Sequence, residues 1–277
     1  MFEFFRRQLQ TILWYIHGVF TNQLSTEELL RPTVVIAPHQ DDEVLGCGGT
    51  ISHLRQCGVP VTIIFLCSGA YSHSKLMPPE EMEVTRNREA LDAAKSLGVA
   101  ASDVLFMPIC TREYPINHEE IKKQLIPVLQ NRQADNYYIP YRYEPHPEHS
   151  ATASIGLYAI DKLQKNALVM EYPVWFWEHQ PWMMTTYFSS KGFRRRLTHS
   201  VGATARLFLH FNQYVDIAKT LHNKNESLDE YKSQMTKLTG AKNWTTLAEV
   251  GSGDFLKCFN RSREIFSKTV FLKSDYK

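Results

Sequence analysis

Blocks of apolar and polar positions along the chain predict strands and helices in turn. Residues 33–37 form a short β-branched run after Pro32, the pattern of a strand buried on both faces. A helix is expected over about 48–56, stopped by Gly58 and Pro60, and 61–66 reads as the next strand. Residues 80–97 form a long helical stretch carrying Met82, Ala90, Ala93, Ala94 and Leu97 and closed by Gly98. Residues 104–107 are strand-like, 118–130 helical despite Pro127, 137–140 strand-like, and 150–163 helical. Strands alternating with helices imply an α/β fold, an open and mostly parallel sheet with helices on both faces.

Beyond Val169 the pattern loosens. Residues 172–182 are dense in Trp, Tyr, Phe and Pro and fit a strand or wall segment. Residues 225–238 look helical, with Leu228, Tyr231, Met235 and Leu238 at helical spacing. Neither a repeat nor a linker is apparent. The simplest account is an N-terminal helical segment, 1–31, followed by one domain, 32–277. Residues 170–277 of that domain form a C-terminal extension contributing to a substrate wall.

The first 20 residues change the picture locally. They are amphipathic as a helix, and their aromatics precede Arg6 and Arg7, unlike a signal peptide. Such a helix either packs on the domain, as most do, or lies on a membrane surface. Composition adds exclusions. A chain that is 43% hydrophobic can build a sizeable core, and 31 basic against 29 acidic residues give no reason to expect nucleic acid as a partner. No apolar run reaches the roughly 20 residues of a membrane span. Cys47, Cys57, Cys67, Cys110 and Cys258 form no CxxC pair and are odd in number, which points to reduced thiols in a cytoplasmic protein.

The candidate chemistry lies after two predicted strands. Ala37-Pro38-His39-Gln40-Asp41-Asp42-Glu43 follows the first, at the sheet end where open parallel sheets bind ligands. An imidazole beside carboxylates suits zinc. Equally, the acids could open a helix, where carboxylates favour the dipole. Pro145-His146-Pro147-Glu148-His149 follows a later strand and precedes another helix. Together the two segments favour a His/Asp/His metal site over two unrelated turns.

This combination resembles the LmbE/PIG-L family of zinc N-deacetylases, with its PHxDDE-type and HPDH-type segments. Leu45 to Thr50 resembles the family's glycine-rich turn, and Arg86-Asn87-Arg88-Glu89 its RxxE helix. Tyr214-Val215-Asp216-Ile217 and Tyr231-Lys232-Ser233-Gln234 resemble segments of longer members. The likeness runs from about Thr33 to about Phe266. It implies a Rossmann-like fold, with His39, Asp42 and His149 as zinc ligands and Asp41 as general base. It further implies His146 as oxyanion stabiliser and acid. Arg86 is either a substrate contact or the partner of Glu89 or a neighbouring acid. Glu148 stands where the family has Asp, and as a residue behind the ligands, orienting His146, it needs a different geometry. Gln40 replaces a frequent Pro.

The resemblance implies removal of an N-acetyl group from an N-acetylglucosamine-type conjugate. The base and acid have opposed protonation requirements, hence a bell-shaped rate profile. An amidase acting on a non-sugar metabolite shares the same metal site, and a non-catalytic zinc- or sugar-binding protein is a third reading. A dinucleotide site is disfavoured, because Gly46, Gly48 and Gly49 lack the GxGxxG spacing. The aromatic segment around Tyr172, Trp175, Phe176, Trp177, His179 and Trp182 is either core or a sugar-facing wall. Lys191 and Arg194-Arg195-Arg196 are either a solvated helix face or a site for a phosphate or an anionic membrane. A homo-oligomer is compatible with everything above.

Overall fold

A computed structural model describes residues 2–107, 118–179, 181–183 and 193–276; side chains at Phe2, 193–199 and 275–276 are not described. Cys110 and Lys191 lie outside these residues, as do the side chains of Arg194, Arg195 and Arg196. The strands are β1 (Asn22–Gln23), β2 (Thr33–Ala37), β3 (Val61–Phe65), β4 (Val104–Phe106), β5 (Asn136–Pro140), β6 (Ala167–Tyr172), β7 (Gln213–Asp216) and β8 (Arg263–Phe271). The longer helices are α1 (Phe2–Phe20), α3 (Asp42–Gln56), α4 (Pro79–Ser96), α5 (His118–Arg132), α6 (Pro147–Asp161), α7 (Phe193–His210) and α8 (Leu221–Asp229). Single turns α2 (Thr26–Leu29), α9 (Lys232–Met235) and α10 (Asp254–Lys257) complete the order.

The sheet order is β1-β7-β8-β6-β5-β2-β3-β4. β8 runs antiparallel to both β6 and β7, and every other pairing is parallel. The expected mostly parallel α/β sheet is therefore what forms. The chain leaves β2 towards β3 and β4, then returns to place β5 on the other side of β2. That reversal puts a topological switch point at the carboxyl ends of β2 and β5, where two successive loops must part and leave a crevice.

β2, β3, β5 and β6 are buried throughout, as their unbroken apolar runs require. One face packs Val35, Ile63 and Tyr138 against α3 and α4. The other packs Val34, Ile36 and Ile139 against α5 and α6. Residues 172–182 serve mainly as core: Phe176, Trp177 and Trp182 are buried. The continuous helix expected over 225–238 is broken, because Tyr231 adopts ψ 63° between α8 and α9. There its phenol donates to the buried Glu43, while Ser233 N and Oγ donate to Glu89 at 2.7 and 2.6 Å. Satisfying these two buried acids outweighs helical periodicity. Helix α7 and strands β1, β7 and β8 were not anticipated by the periodicity.

Helix α3 begins at Asp42, six residues before the expected start, and kinks at Cys47 with φ −148°. The glycines after the acids look like breaks but serve close packing. A Cβ on Gly46 would lie 2.1 Å from the Tyr172 ring, and one on Gly49 would lie 2.5 Å from Ile217. Beyond the kink the second half of the helix needs its own cap. Glu264 on β8 provides it, accepting from Gly49 N, Thr50 N and Thr50 Oγ1 at 2.6–2.9 Å. Lys224 of α8 neutralises that carboxylate at 2.7 Å and donates to Leu45 O, with both side chains almost fully buried. Replacing Lys224 with Met should leave a buried charge uncompensated and cost roughly 3–5 kcal/mol. The urea midpoint of the purified variant reads this directly; an unchanged midpoint would show that the pair carries no such weight.

Candidate metal centre

Four residues separate β2 from α3, and within them the chain turns sharply. Asp41 takes φ 131°, a conformation that non-glycine residues rarely adopt. The surroundings hold it there: Asp41 N donates to Glu43 Oε2 at 3.1 Å, Arg86 Nη2 lies 3.3 Å from Asp41 Oδ2, and Arg86 also donates to Gln40 O. Arg86 is itself buried and packs under Gly69, where φ is +62° and an added Cβ would lie 2.7 Å from the guanidinium. These contacts are those of an ion pair, with Asp41 rather than Glu89 as its partner.

With Asp41 turned aside, Asp42 points into the crevice. Its Oδ2 accepts from His39 N at 3.1 Å and lies 3.2 Å from both His39 Nδ1 and His149 Nε2. His149 arrives from the other loop. Pro147 starts α6, three residues earlier than expected, and places His149 in its first turn. His146, the residue before that helix, lies with its ring 5.7 Å from His39 and 5.0 Å from His149. The structure thus brings His39, Asp41, Asp42, His146, Glu148 and His149 to one place. Donor atoms of His39, Asp42 and His149 lie within 4.8 Å of one another.

Two residues behave differently from expectation. Glu148 Oε2 contacts His39 Nε2 at 2.7 Å and stays 3.9 Å from His146 Nδ1, so the longer acid backs His39 rather than His146. Glu144, which the motif reading passed over, lies behind His149: its Oε2 is 3.9 Å from His149 Nδ1. Its other oxygen accepts from Val174 N and Phe176 N at 2.8 and 3.2 Å. An acid between a strand end and a histidine motif is the signal that could have revealed it. Cys67 is a further neighbour: its backbone N–H bonds Pro38 O, extending β3 alongside the His39 turn, and its Sγ lies within 4.8 Å of donor atoms of His39 and Glu148.

The electrostatics are those of a cation site. Burial opposes a charge on His39, yet the Asp42 and Glu148 carboxylates hold it protonated up to about 9. Burial likewise opposes Asp42, but the neighbouring histidines draw it down to about 2. Burial dominates at His149, lowered to about 3, and at Glu144, pushed up to about 8. Burial and the adjacent Asp42 raise Asp41 to about 7 against the pull of Arg86. His149 is fully buried with neither ring nitrogen hydrogen-bonded, an arrangement otherwise costly. Two imidazoles, each with a further carboxylate behind it, and the Asp42 carboxylate fit a zinc-type ion.

Fold and donor set together define an open-sheet α/β protein with a three-ligand metal centre candidate at its switch point. The family described as GlcNAc-PI de-N-acetylase (PIG-L) matches residues 34–160, and the chain carries a PIG-L (LmbE-like) family domain. Diacetylchitobiose deacetylase of Thermococcus kodakarensis is 27% identical over 135 residues, 47% of this chain and 49% of that protein. The chain thus matches about half the length of this curated relative. Among solved structures, the N,N'-diacetylchitobiose deacetylase of Pyrococcus horikoshii superposes with a TM-score of 0.62 at 19% identity, covering 99% of this chain and 95% of that one. The 4-carboxy-2-hydroxymuconate hydratase GalB of Pseudomonas putida KT2440 gives 0.55 at 15% identity, covering 87% and 96%. Structural likeness at these identities speaks for the fold, which carries more than one chemistry.

Metal uptake should depend on pH with a definite sign. A cation displaces the proton that His39 holds up to about 9, whereas Asp42 and His149 are already deprotonated at neutral pH. Zinc affinity should therefore rise about tenfold per pH unit up to about 9 and then level off. Competition titration with a chromophoric chelator between pH 6 and 10 measures this. Glu144→Gln should weaken zinc binding by about 10–100-fold in the same assay.

Proposed function

We propose that the protein is a zinc-dependent N-deacetylase acting on an N-acetylglucosamine-type amino-sugar conjugate. The observation that carries this reading is the meeting of His39, Asp42 and His149 at one sheet end, with a second carboxylate, Asp41, pinned beside them by Arg86. The PIG-L family domain and the named activity of the Thermococcus relative supply the substrate class.

His39, Asp42 and His149 would hold a divalent cation, which would supply Lewis acidity to a water and to the amide carbonyl. Asp41 accepts the proton that the water loses as its oxygen attacks the acetyl carbon. Its unusual backbone angle keeps the two successive acids pointing apart, one towards the ligands and one towards Arg86. His146 sits below the usual histidine range, chiefly through burial and then through the charge of His39, so it is neutral at rest and free to take up a proton. Handed the proton that Asp41 took from the water, it stabilises the oxyanion and passes that proton to the nitrogen as the C–N bond breaks, leaving a free amine and acetic acid, which ionises to acetate. Arg86 acts as a positioning residue for the base. Trp175, stacked on Phe255 and 6.2 Å from the His146 ring, offers a flat apolar face to a sugar ring.

The test is acetate release from a panel of N-acetylglucosamine conjugates by the zinc-loaded full chain. Activity should follow a bell-shaped pH profile. Asp41→Asn should lower kcat by about 10²–10⁴-fold while zinc content stays at that of the parent. A zinc-loaded protein that releases no acetate from any conjugate would overturn the reading, as would full activity in Asp41→Asn.

A further inference from the structure

Helix α1 presents its polar and apolar residues the wrong way round for a helix that merely packs on a domain. One stripe turns polar groups inward. Arg6 donates to Pro181 O and Trp182 O at 3.0 and 3.2 Å and pairs with Asp254 at 2.6 Å. Gln10 donates to Trp182 O at 2.9 Å, and His17 Nε2 lies 2.7 Å from Phe211 O. Trp14 packs between these anchors, against Trp177 and Trp182, with the Arg261 guanidinium 3.9 Å above its ring. Buried bonds thus fix the helix at both ends and in the middle.

The neighbouring stripe is apolar and bare. Phe5, Leu9, Ile12, Ile16, Val19 and Phe20 recur at helical spacing, and each is 40–68% exposed. A contiguous exposed apolar face of this kind marks an interaction surface. It cannot be explained by a loosely held terminal helix, because the polar stripe holds the helix rigidly in place.

We propose that α1 docks the protein on a lipid bilayer, lying in the headgroup region with this stripe inserted. Two observations favour lipid over a second copy of the chain. The 19-residue helix is about 28 Å long and about 10 Å wide, so its stripe offers on the order of 300 Å². A stable dimer needs about 800 Å² from each partner. The stripe also stands on a convex helix, which lipid accommodates without a complementary groove. No described helix is long and apolar enough to cross a membrane, so the contact is peripheral. This inference is independent of what the metal centre catalyses.

The experiment is flotation of the full chain with phosphatidylcholine vesicles containing 30% phosphatidylglycerol, beside pure phosphatidylcholine vesicles and sedimentation velocity without lipid. The expected result is a monomer that floats with both kinds of vesicle. The triple variant Phe5→Ser, Ile12→Ser, Val19→Ser should lower the partition coefficient by on the order of 100-fold. Its circular dichroism, melting temperature and zinc affinity should stay unchanged. As a second probe, Tyr15→Trp should shift its emission to the blue only when vesicles are added. Failure to float with either vesicle would overturn the proposal, as would wild-type partitioning of the triple variant. A dimer that the triple variant converts to monomer, without vesicle binding, would assign the stripe to a second copy instead.

Discussion

One carboxylate oxygen, Asp42 Oδ2, ties the two halves of the crevice together. It accepts from the backbone and faces the ring of His39, which comes from its own turn, and it faces His149 from a loop more than a hundred residues further on. An ionised carboxylate so deeply buried survives only where positive charge is at hand. Protonated His39 supplies it in the protein alone, His149 being neutral, and a bound cation would take over that role. The neighbouring acids are placed by the same demand. Glu148 backs His39, Glu144 backs His149, and Asp41 is turned towards a guanidinium instead of crowding the same pocket. The rare backbone angle at Asp41 is the geometric cost of keeping two adjacent carboxylates apart.

The C-terminal extension acts as a brace for this arrangement. Glu264 and Lys224 hold the second half of α3 at its kink, Tyr231 satisfies Glu43 one residue past Asp42, and Ser233 satisfies Glu89 one turn along α4 from Arg86. Each contact reaches a buried acid or helix end. The extension therefore reads less as an appendage than as the outer shell of the site. Trp175 of its aromatic segment borders His146, while Phe176, Trp177 and Trp182 fill the core.

How legible all this was differs from residue to residue. The buried strands β2, β3 and β5 were plain because unbroken β-branched and aromatic runs have few other uses, and both histidine motifs stood at their ends. Local pattern placed His39, Asp42 and His149 near sheet ends, but their meeting depends on the crossover that sets β5 beside β2. The start of α3 was misjudged because glycines needed for close approach to Tyr172 and Ile217 look like helix breakers. The break at Tyr231 was hidden because its cause, a buried acid on another helix, is distant in sequence. Strand β8 was missed for a similar reason: it is half exposed along much of its length and finds both of its partners by long-range pairing. Glu144 precedes the second histidine motif without being part of it, and Cys67 belongs to no motif and is made a neighbour of the ligands by packing alone.

The anchoring of α1 has a consequence for how the chain is made. Its partners are Pro181, Trp182, Phe211, Asp254 and Arg261, and β1 just after it pairs with β7. Helix α1 is thus among the last elements to find its place, since everything it holds on to is synthesised some 160 residues or more later. Throughout that interval both faces of the helix are unprotected, the stripe that later stays bare and the Trp14 stripe that later packs. A nascent chain in this condition has reason to meet a chaperone, or a lipid surface, before its own fold is ready to receive it.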